Sequence, residues 1–313
     1  MPLTRIGPWW RKIKPWVGLL VFVILAGLFF KIQREQHLST LLPKGWALVA
    51  LWGLLPWITL AKTAAWYQIT QALGIAIGWK ATLHACLMSI AGRYIPGKVM
   101  FVLGRIEAYG PQPLRLSLAS FGMVVEFCIE NMAGCVLLLG AALLGFCPAG
   151  TGLMFGACSG AILALSCCSN LLKPLIRHLP VKFQPQHPVD LRFSRLIFGP
   201  VALTLVHWFF YLAGLYLIMG TSLNLQPLQM LGIGAALWFS STVGALSILT
   251  PGGLGVRESL ATFLFSALGL NVDDAFRLAM VSRLIQWAGE LFVALPTMLI
   301  TFLKPCSSGA DGH

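Results

Sequence analysis

Six apolar runs dominate the chain, at about 15–30, 46–66, 117–146, 149–172, 196–219 and 275–303. A helix that crosses a bilayer needs about 20 residues, so each run predicts a spanning helix, the first of them by borrowing Ile13 to Trp16. Two further apolar regions, 81–109 and 228–270, are interrupted by a Pro-Gly turn with charges around it. The first turn reads Gly92-Arg93-Tyr94-Ile95-Pro96-Gly97-Lys98, and the second reads Thr250-Pro251-Gly252-Gly253-Leu254-Gly255-Val256-Arg257-Glu258. Pro and Gly together stop a helix and free backbone groups that lipid cannot satisfy. Such breaks persist at membrane depth only where protein or a water-filled cavity supplies partners.

Basic loops orient these elements. The N-terminal segment carries Arg5, Arg11, Lys12 and Lys14 with no acid, and the loop 173–195 carries Lys173, Arg177, Lys182, Arg192 and Arg195 against Asp190 alone. The positive-inside rule places both in the cytoplasm. Spans 15–30 and 46–66 then return the chain to the inside, and counting back from 173–195 puts residue 116 inside as well. Region 81–109 must enter and leave on one side, as a re-entrant hairpin with its tip at Pro96-Gly97. The same count makes 228–270 a second hairpin and leaves residues 304–313 as a cytoplasmic tail. Its weak point is 228–249, which is long enough to cross alone. Residues 1–14, with Trp9 and Trp10 among the bases, read as an interfacial anchor, and 15–30 as an uncleaved first span.

Spacing adds a second regularity. Pro251 follows Pro96 by 155 positions, and the same shift carries 46–66 close to 196–219 and 117–146 close to 275–303. Each half then has three spans and one hairpin, about 15–146 and 149–303. Three is odd, so the second half is inverted, an arrangement in which paired broken helices mark a transporter's binding site. The expected fold class is all-α: a polytopic membrane protein with about six spans and two re-entrant broken-helix hairpins in an inverted repeat.

Composition supports the class. Of 313 residues, 58% are hydrophobic and 10% charged, with a mean hydropathy of +0.81, more apolar surface than a soluble chain of this length could cover. The net charge of +12 sits in loops beside apolar runs, as contact with an anionic leaflet requires, which argues against nucleic acid as a partner. Seven of the 8 Cys lie in or at the ends of apolar stretches. They show no Cys-x-x-Cys or zinc spacing and read as packing residues.

Charges inside the runs carry the candidate chemistry. Glu126 and Glu130 are four apart on one helix face; Arg283, Gln286 and Glu290 share a face of the matching span. With Arg93, Lys98, Arg257 and Glu258 at the hairpin tips they can form one polar centre at the pseudo-two-fold axis. Ion pairing alone, Glu130 with Arg283 or Glu258 with a nearby Arg, is the plainer account. A half-helix starting after a Pro-Gly turn presents free N–H groups and a positive dipole end. Beside Arg93, Lys98 and Arg257 that makes an anion site, for which a phosphate head group is the natural ligand. Tyr94, Pro96, Gly97, Pro251, Gly252 and Gly253 complete the expected substrate-binding set. Glu126, Glu130, Arg283 and Glu290 are the expected coupling or gating residues. His84 and His207 read as hydrogen-bonded core histidines. Ser240, Ser241 and Thr242 either line a path or bond back to their helix, and the many Trp residues read as an interfacial belt. No catalytic, metal-binding or cofactor-binding motif is visible, and the expectation is a non-enzyme without a cofactor.

The two Pro-Gly motifs, with Glu130 and Arg283, resemble the membrane domain of the lysylphosphatidylglycerol synthase/flippase family, also called the flippase-like domain family. The resemblance covers about residues 15–303. It implies an inner-membrane protein with both termini cytoplasmic that moves a lipid between leaflets. Met100 departs from the aromatic residue frequent at that position. Synthase members carry a large soluble transferase domain after the membrane part, whereas this chain runs ten residues past its last span, so a stand-alone member is expected. The function expected is translocation of a phosphate-containing or lipid-linked polar lipid. Alternatives are a non-transporting partner of a lipid or glycolipid biosynthesis enzyme, or an intramembrane lipid-phosphate transferase. Expected partners are lipids with anionic head groups, with a second copy of the chain or a lipid-synthesis enzyme as protein partners.

Overall fold

The computed structural model describes residues 46–73, 75, 77–92, 105, 113–146, 197–220, 222–247, 253 and 255–303. The expected spans 15–30 and 149–172, the terminal segments and the Pro-Gly turns, apart from Gly92 of the first and Gly253 and 255–258 of the second, lie outside the described residues. Among the described residues all regular structure is helical: α1 (Trp46–Ala72), α2 (Trp79–Gly92), α3 (Pro113–Leu143), α4 (Gly199–Leu215), α5 (Gln229–Leu246), α6 (Val256–Ala267) and α7 (Val272–Leu303). A π-helical turn, Tyr216–Gly220, extends α4.

Local sequence sets the helix ends. Pro113 opens α3 and Pro200 lies in the first turn of α4, where a missing N–H leaves no gap. Asn271 caps α7, its Oδ1 accepting from the Asp274 N–H at 2.8 Å and its Nδ2 donating to Asp274 Oδ2 at 2.7 Å. The acids Asp273 and Asp274 in that first turn match the positive end of the helix dipole. α3 closes with Phe146 N–H donating to Ala141 C=O and Gly145 N–H to Ala142 C=O, the paired bonds of a Schellman end.

Among the described residues four helical stretches are long and apolar enough to cross a membrane: Ala47–Ala72, Gly122–Leu143, Gly199–Gly220 and Gln229–Leu246. Three fall on the runs expected to span, and the fourth is the 228–249 segment. α6, at 12 residues, is about 18 Å long at 1.5 Å per residue, well short of a 30 Å hydrocarbon core.

α1 lies along α4, α3 along α5, and α7 against α1 and α6; α6 in turn packs on α5. The larger core joins α1, α3, α4, α5, α6 and α7 through residues such as Leu55, Leu137, Leu212, Leu237, Phe265 and Leu278. A smaller one, around Trp66, Ile69, Val125 and Ile129, seals α1 on α3. The aromatic residues depart from the interfacial reading. Trp52, Trp57 and Trp79 are exposed, but Trp66, Trp208, Trp238 and Trp287 are buried between helices. Glycines explain two of these placements, since Trp66 lies over Gly122 and Trp238 over Gly134: a helix without a Cβ admits a flat ring.

Candidate functional site

The broken segment before α6 is fixed by one unusual turn. Gly253 has φ +72, and a Cβ there would meet the Gly244 carbonyl oxygen at 2.8 Å. The turn therefore presses against the end of α5 at a spot only glycine fits. Gly255 then caps α6, its N–H donating to Glu258 Oε2 at 2.7 Å. This anchors the helix start from which Arg257 and Glu258 project inward, each 8% exposed.

These two charges take different partners. Glu258 Oε1 lies 3.4 Å from Arg283 Nε on α7, the pairing expected between Glu258 and a nearby Arg. Arg257 instead meets neutral groups: Nη1 donates to Gln286 Oε1 at 2.6 Å and Nη2 to the Tyr211 hydroxyl at 3.3 Å. The Tyr211 hydroxyl donates to the Ser282 carbonyl at 2.7 Å. Gln286 Nε2 donates to Glu290 Oε1 at 3.1 Å. The expected Arg283, Gln286, Glu290 face thus exists, and Arg257 docks on it.

On α3, Glu126 forms a two-point pair with Arg105, whose Nη2 donates to Oε1 at 3.0 Å. The Arg105 guanidinium also sits 4.2 Å from the centre of a Trp66 ring, a cation–π arrangement. Glu130 pairs with Lys62 of α1, not with Arg283. The reason is helix placement: α1 packs on α3, and Arg283 is engaged by Glu258. Asn131, one residue on, accepts from Thr242 of α5 at 3.4 Å through Oδ1. Ser240 and Ser241 bond back to Leu237 C=O at 3.0 and 2.5 Å, so Thr242 alone of the three reaches across. His207 is the hydrogen-bonded core residue expected, with Nδ1 2.6 Å from the Ile58 carbonyl and its ring parallel to Tyr211. The carbonyl can only accept, so Nδ1 carries the proton there. Residues Arg93, Tyr94, Pro96, Gly97, Lys98, Pro251 and Gly252 lie outside the described residues.

Sequence reasoning missed Lys62, Arg105, Asn131 and Tyr211. Lys62 and Arg105 carried a signal, as charges inside apolar runs. Tyr211 carried none, since a tyrosine in such a run reads as core until its hydroxyl finds Arg257. Among the described residues the centre holds three ion pairs, the Glu290 carboxylate bonded to Gln286, and the Arg257 guanidinium with neutral side-chain partners.

Among the described residues the structure is all-helical, with helices capable of spanning a membrane and a charged interior, which is consistent with an all-α membrane protein. No family model matches the chain, and no curated protein matches it.

Proposed function

We propose that the protein is a lipid translocator of the flippase-like kind, a non-enzyme that moves a phosphate-containing or lipid-linked polar lipid between leaflets of the inner membrane. The observation that carries this reading is Arg257. It is a buried guanidinium beside a helix break, and its side-chain partners are neutral. Gln286 and Tyr211 orient the fork without offsetting its charge. A guanidinium held that way at low dielectric is suited to a phosphate. The head group enters the polar centre while the tails stay in lipid.

Two features support the inverted repeat of six spans and two hairpins. α1 and α4, which correspond under the shift of 155 positions, pack along each other. In each half, a basic side chain beyond the Pro-Gly turn reaches the long helix that follows: Arg105 to Glu126 on α3, and Arg257 to Gln286 on α7. The short α6, packed back on α5, fits the second limb of a re-entrant hairpin.

The test is scrambling of a labelled anionic phospholipid in proteoliposomes, with thermal stability measured alongside. Arg257→Ala and Arg93→Ala each abolish translocation in folded protein, and Arg257→Lys restores part of it, because the two-pronged contact is lost. Normal rates in both alanine variants would sink the reading. Loss of activity only in step with loss of stability would make the arginines structural.

A further inference from the structure

Lys62 and Glu130 form the most open of the three ion pairs in the polar centre. Their side chains are 32% and 20% exposed, whereas those of the Arg105–Glu126 and Arg283–Glu258 pairs are at most 11% exposed. Both residues belong to stretches capable of crossing a membrane. Their exposure does not lie on an exposed face of α1. Ile58, Thr59, Ala65 and Trp66, one turn before and after Lys62, are all buried. On α3, Glu126 and Ala133 flank Glu130 in the same way. The pair therefore opens into a space among the helices, as a charge at membrane depth does when it faces a water-filled cavity.

Lys62 is tied to Arg257 through two side chains of α4. The charges of Lys62 and Glu130 act on His207, whose Nδ1 bonds to the Ile58 carbonyl, one turn before Lys62. The His207 ring lies parallel to that of Tyr211, with centres 6.2 Å apart, and the Tyr211 hydroxyl accepts from Arg257. One cation is thus open and the other buried, with an imidazole and a phenol between them.

We propose that Lys62 is a second head-group contact, the one a phosphodiester meets before Arg257, and that Glu130 is the carboxylate it displaces. This rests on the reading of Arg257 as the head-group site. No covalent bond changes: one oxyanion replaces another at an ammonium with three N–H donors. The exchange is easiest at this pair because it is open. A partly exposed ion pair is held weakly, and the released carboxylate turns into the opening rather than into apolar surroundings. The same exchange at Arg105 or Arg283 would strand a buried carboxylate, Glu126 or Glu258. Lysine also suits a passing contact. Its ammonium is a point charge on a flexible stem, whereas the Arg257 fork is set in place by Gln286 and Tyr211. Lys62 captures the anion, and Arg257 orients it.

The experiment titrates the purified full chain in detergent with short-chain phosphatidylglycerol by calorimetry, with the melting temperature measured on the same samples. Glu130→Gln binds the lipid about two- to fivefold more tightly than the wild type, since no carboxylate has to be displaced. Lys62→Gln binds about tenfold more weakly, the loss of one charge-assisted contact, and Lys62→Arg keeps most of the affinity. An ion pair that serves only the fold responds otherwise: both neutral variants bind more weakly, in step with a lowered melting temperature, and that result overturns the proposal. Should Lys62→Gln fail to fold, Glu130→Gln decides alone, because breaking a structural pair does not tighten binding. Unchanged affinity in both variants, with binding lost in Arg257→Ala, overturns Lys62 as a contact and leaves the head-group reading standing. Absence of lipid binding in the wild type overturns both readings. Inorganic phosphate, added in parallel, binds far more weakly than the lipid; equal affinity would keep Lys62 as an anion contact but overturn a lipid as its source.

Discussion

Two glycines of α3 that each meet a side chain of α5 are predicted to respond to alanine with opposite signs. Gly134 and Gly140 are both interior helical positions facing α5. At Gly140 an added Cβ meets the nearest atom, Leu231 Cδ1, at 3.6 Å, an ordinary contact. Gly140→Ala then keeps the helix-propensity gain of about 0.5–1 kcal/mol. At Gly134 the same methyl would enter the Trp238 indole, well inside van der Waals distance. Trp238 is 2% exposed and packed on all sides, so α5 must move away or the ring must leave its rotamer. Overpacking of this kind costs about 1–3 kcal/mol, which exceeds the propensity gain. Gly134→Ala is therefore expected to destabilise by about 1–2 kcal/mol and Gly140→Ala to stabilise slightly. The measurement is reversible unfolding in mixed micelles followed by circular dichroism. Trp238→Phe, with its shorter ring, should recover part of the Gly134→Ala loss, a non-additive result expected of neighbours. Equal shifts of the same sign for the two alanines would refute the close approach of α3 and α5.

The Arg105–Glu126 pair is buried, so Arg105→Met or Glu126→Leu alone should cost about 3–5 kcal/mol, and the double variant far less; a double variant as unstable as either single one would contradict this. Tyr211→Phe keeps the ring against His207 but removes the hydroxyl bonded to Ser282 and Arg257. Unfolding should show a loss of about 0.5–1.5 kcal/mol, and translocation should fall by more than that loss explains. Membrane-impermeant cysteine labelling should reach 110–116 and 173–195 from the same, cytoplasmic face, together with 1–14 and 304–313. Labelling of 110–116 and 173–195 from opposite faces would rule out the re-entrant first hairpin, because the crossing count depends on their agreement.

Helix placement was legible because apolar length is a strong, local signal. The expected runs 46–66, 117–146, 196–219 and 275–303 each fall on a helix whose ends differ by a few residues, where Pro113, Pro200 or the Asn271 cap decides. The existence of a charged centre was also legible, since Glu126, Glu130, Arg283 and Glu290 stand out against their apolar surroundings. Pairing was not. Whether Glu130 meets Lys62 or Arg283 depends on how α1 and α7 are rotated against α3, and periodicity within one helix carries no information about rotation between helices. The buried tryptophans were misread for the same reason: Trp238 is interior because Gly134, more than a hundred residues earlier, leaves room for it.

The two arginines of the second half separate structural from functional charge. A charge at bilayer depth costs roughly 2.5–3.5 kcal/mol on insertion scales. Arg283 has its offset in Glu258, so removing it strands a carboxylate that is itself 8% exposed. Arg283→Ala should lose stability on the scale of a broken buried pair, about 3–5 kcal/mol. Arg257 strands nothing charged when it is removed. Gln286 keeps its bond to Glu290, and Tyr211 keeps its bond to the Ser282 carbonyl. A fold selected only for packing gains little from a cation held by an amide and a phenol, so Arg257→Ala should leave stability nearly unchanged. If Arg257 serves only the fold, the two alanine variants should lose stability alike. If it holds a head group, translocation collapses in Arg257→Ala while the protein melts like the wild type, and only Arg283→Ala melts early.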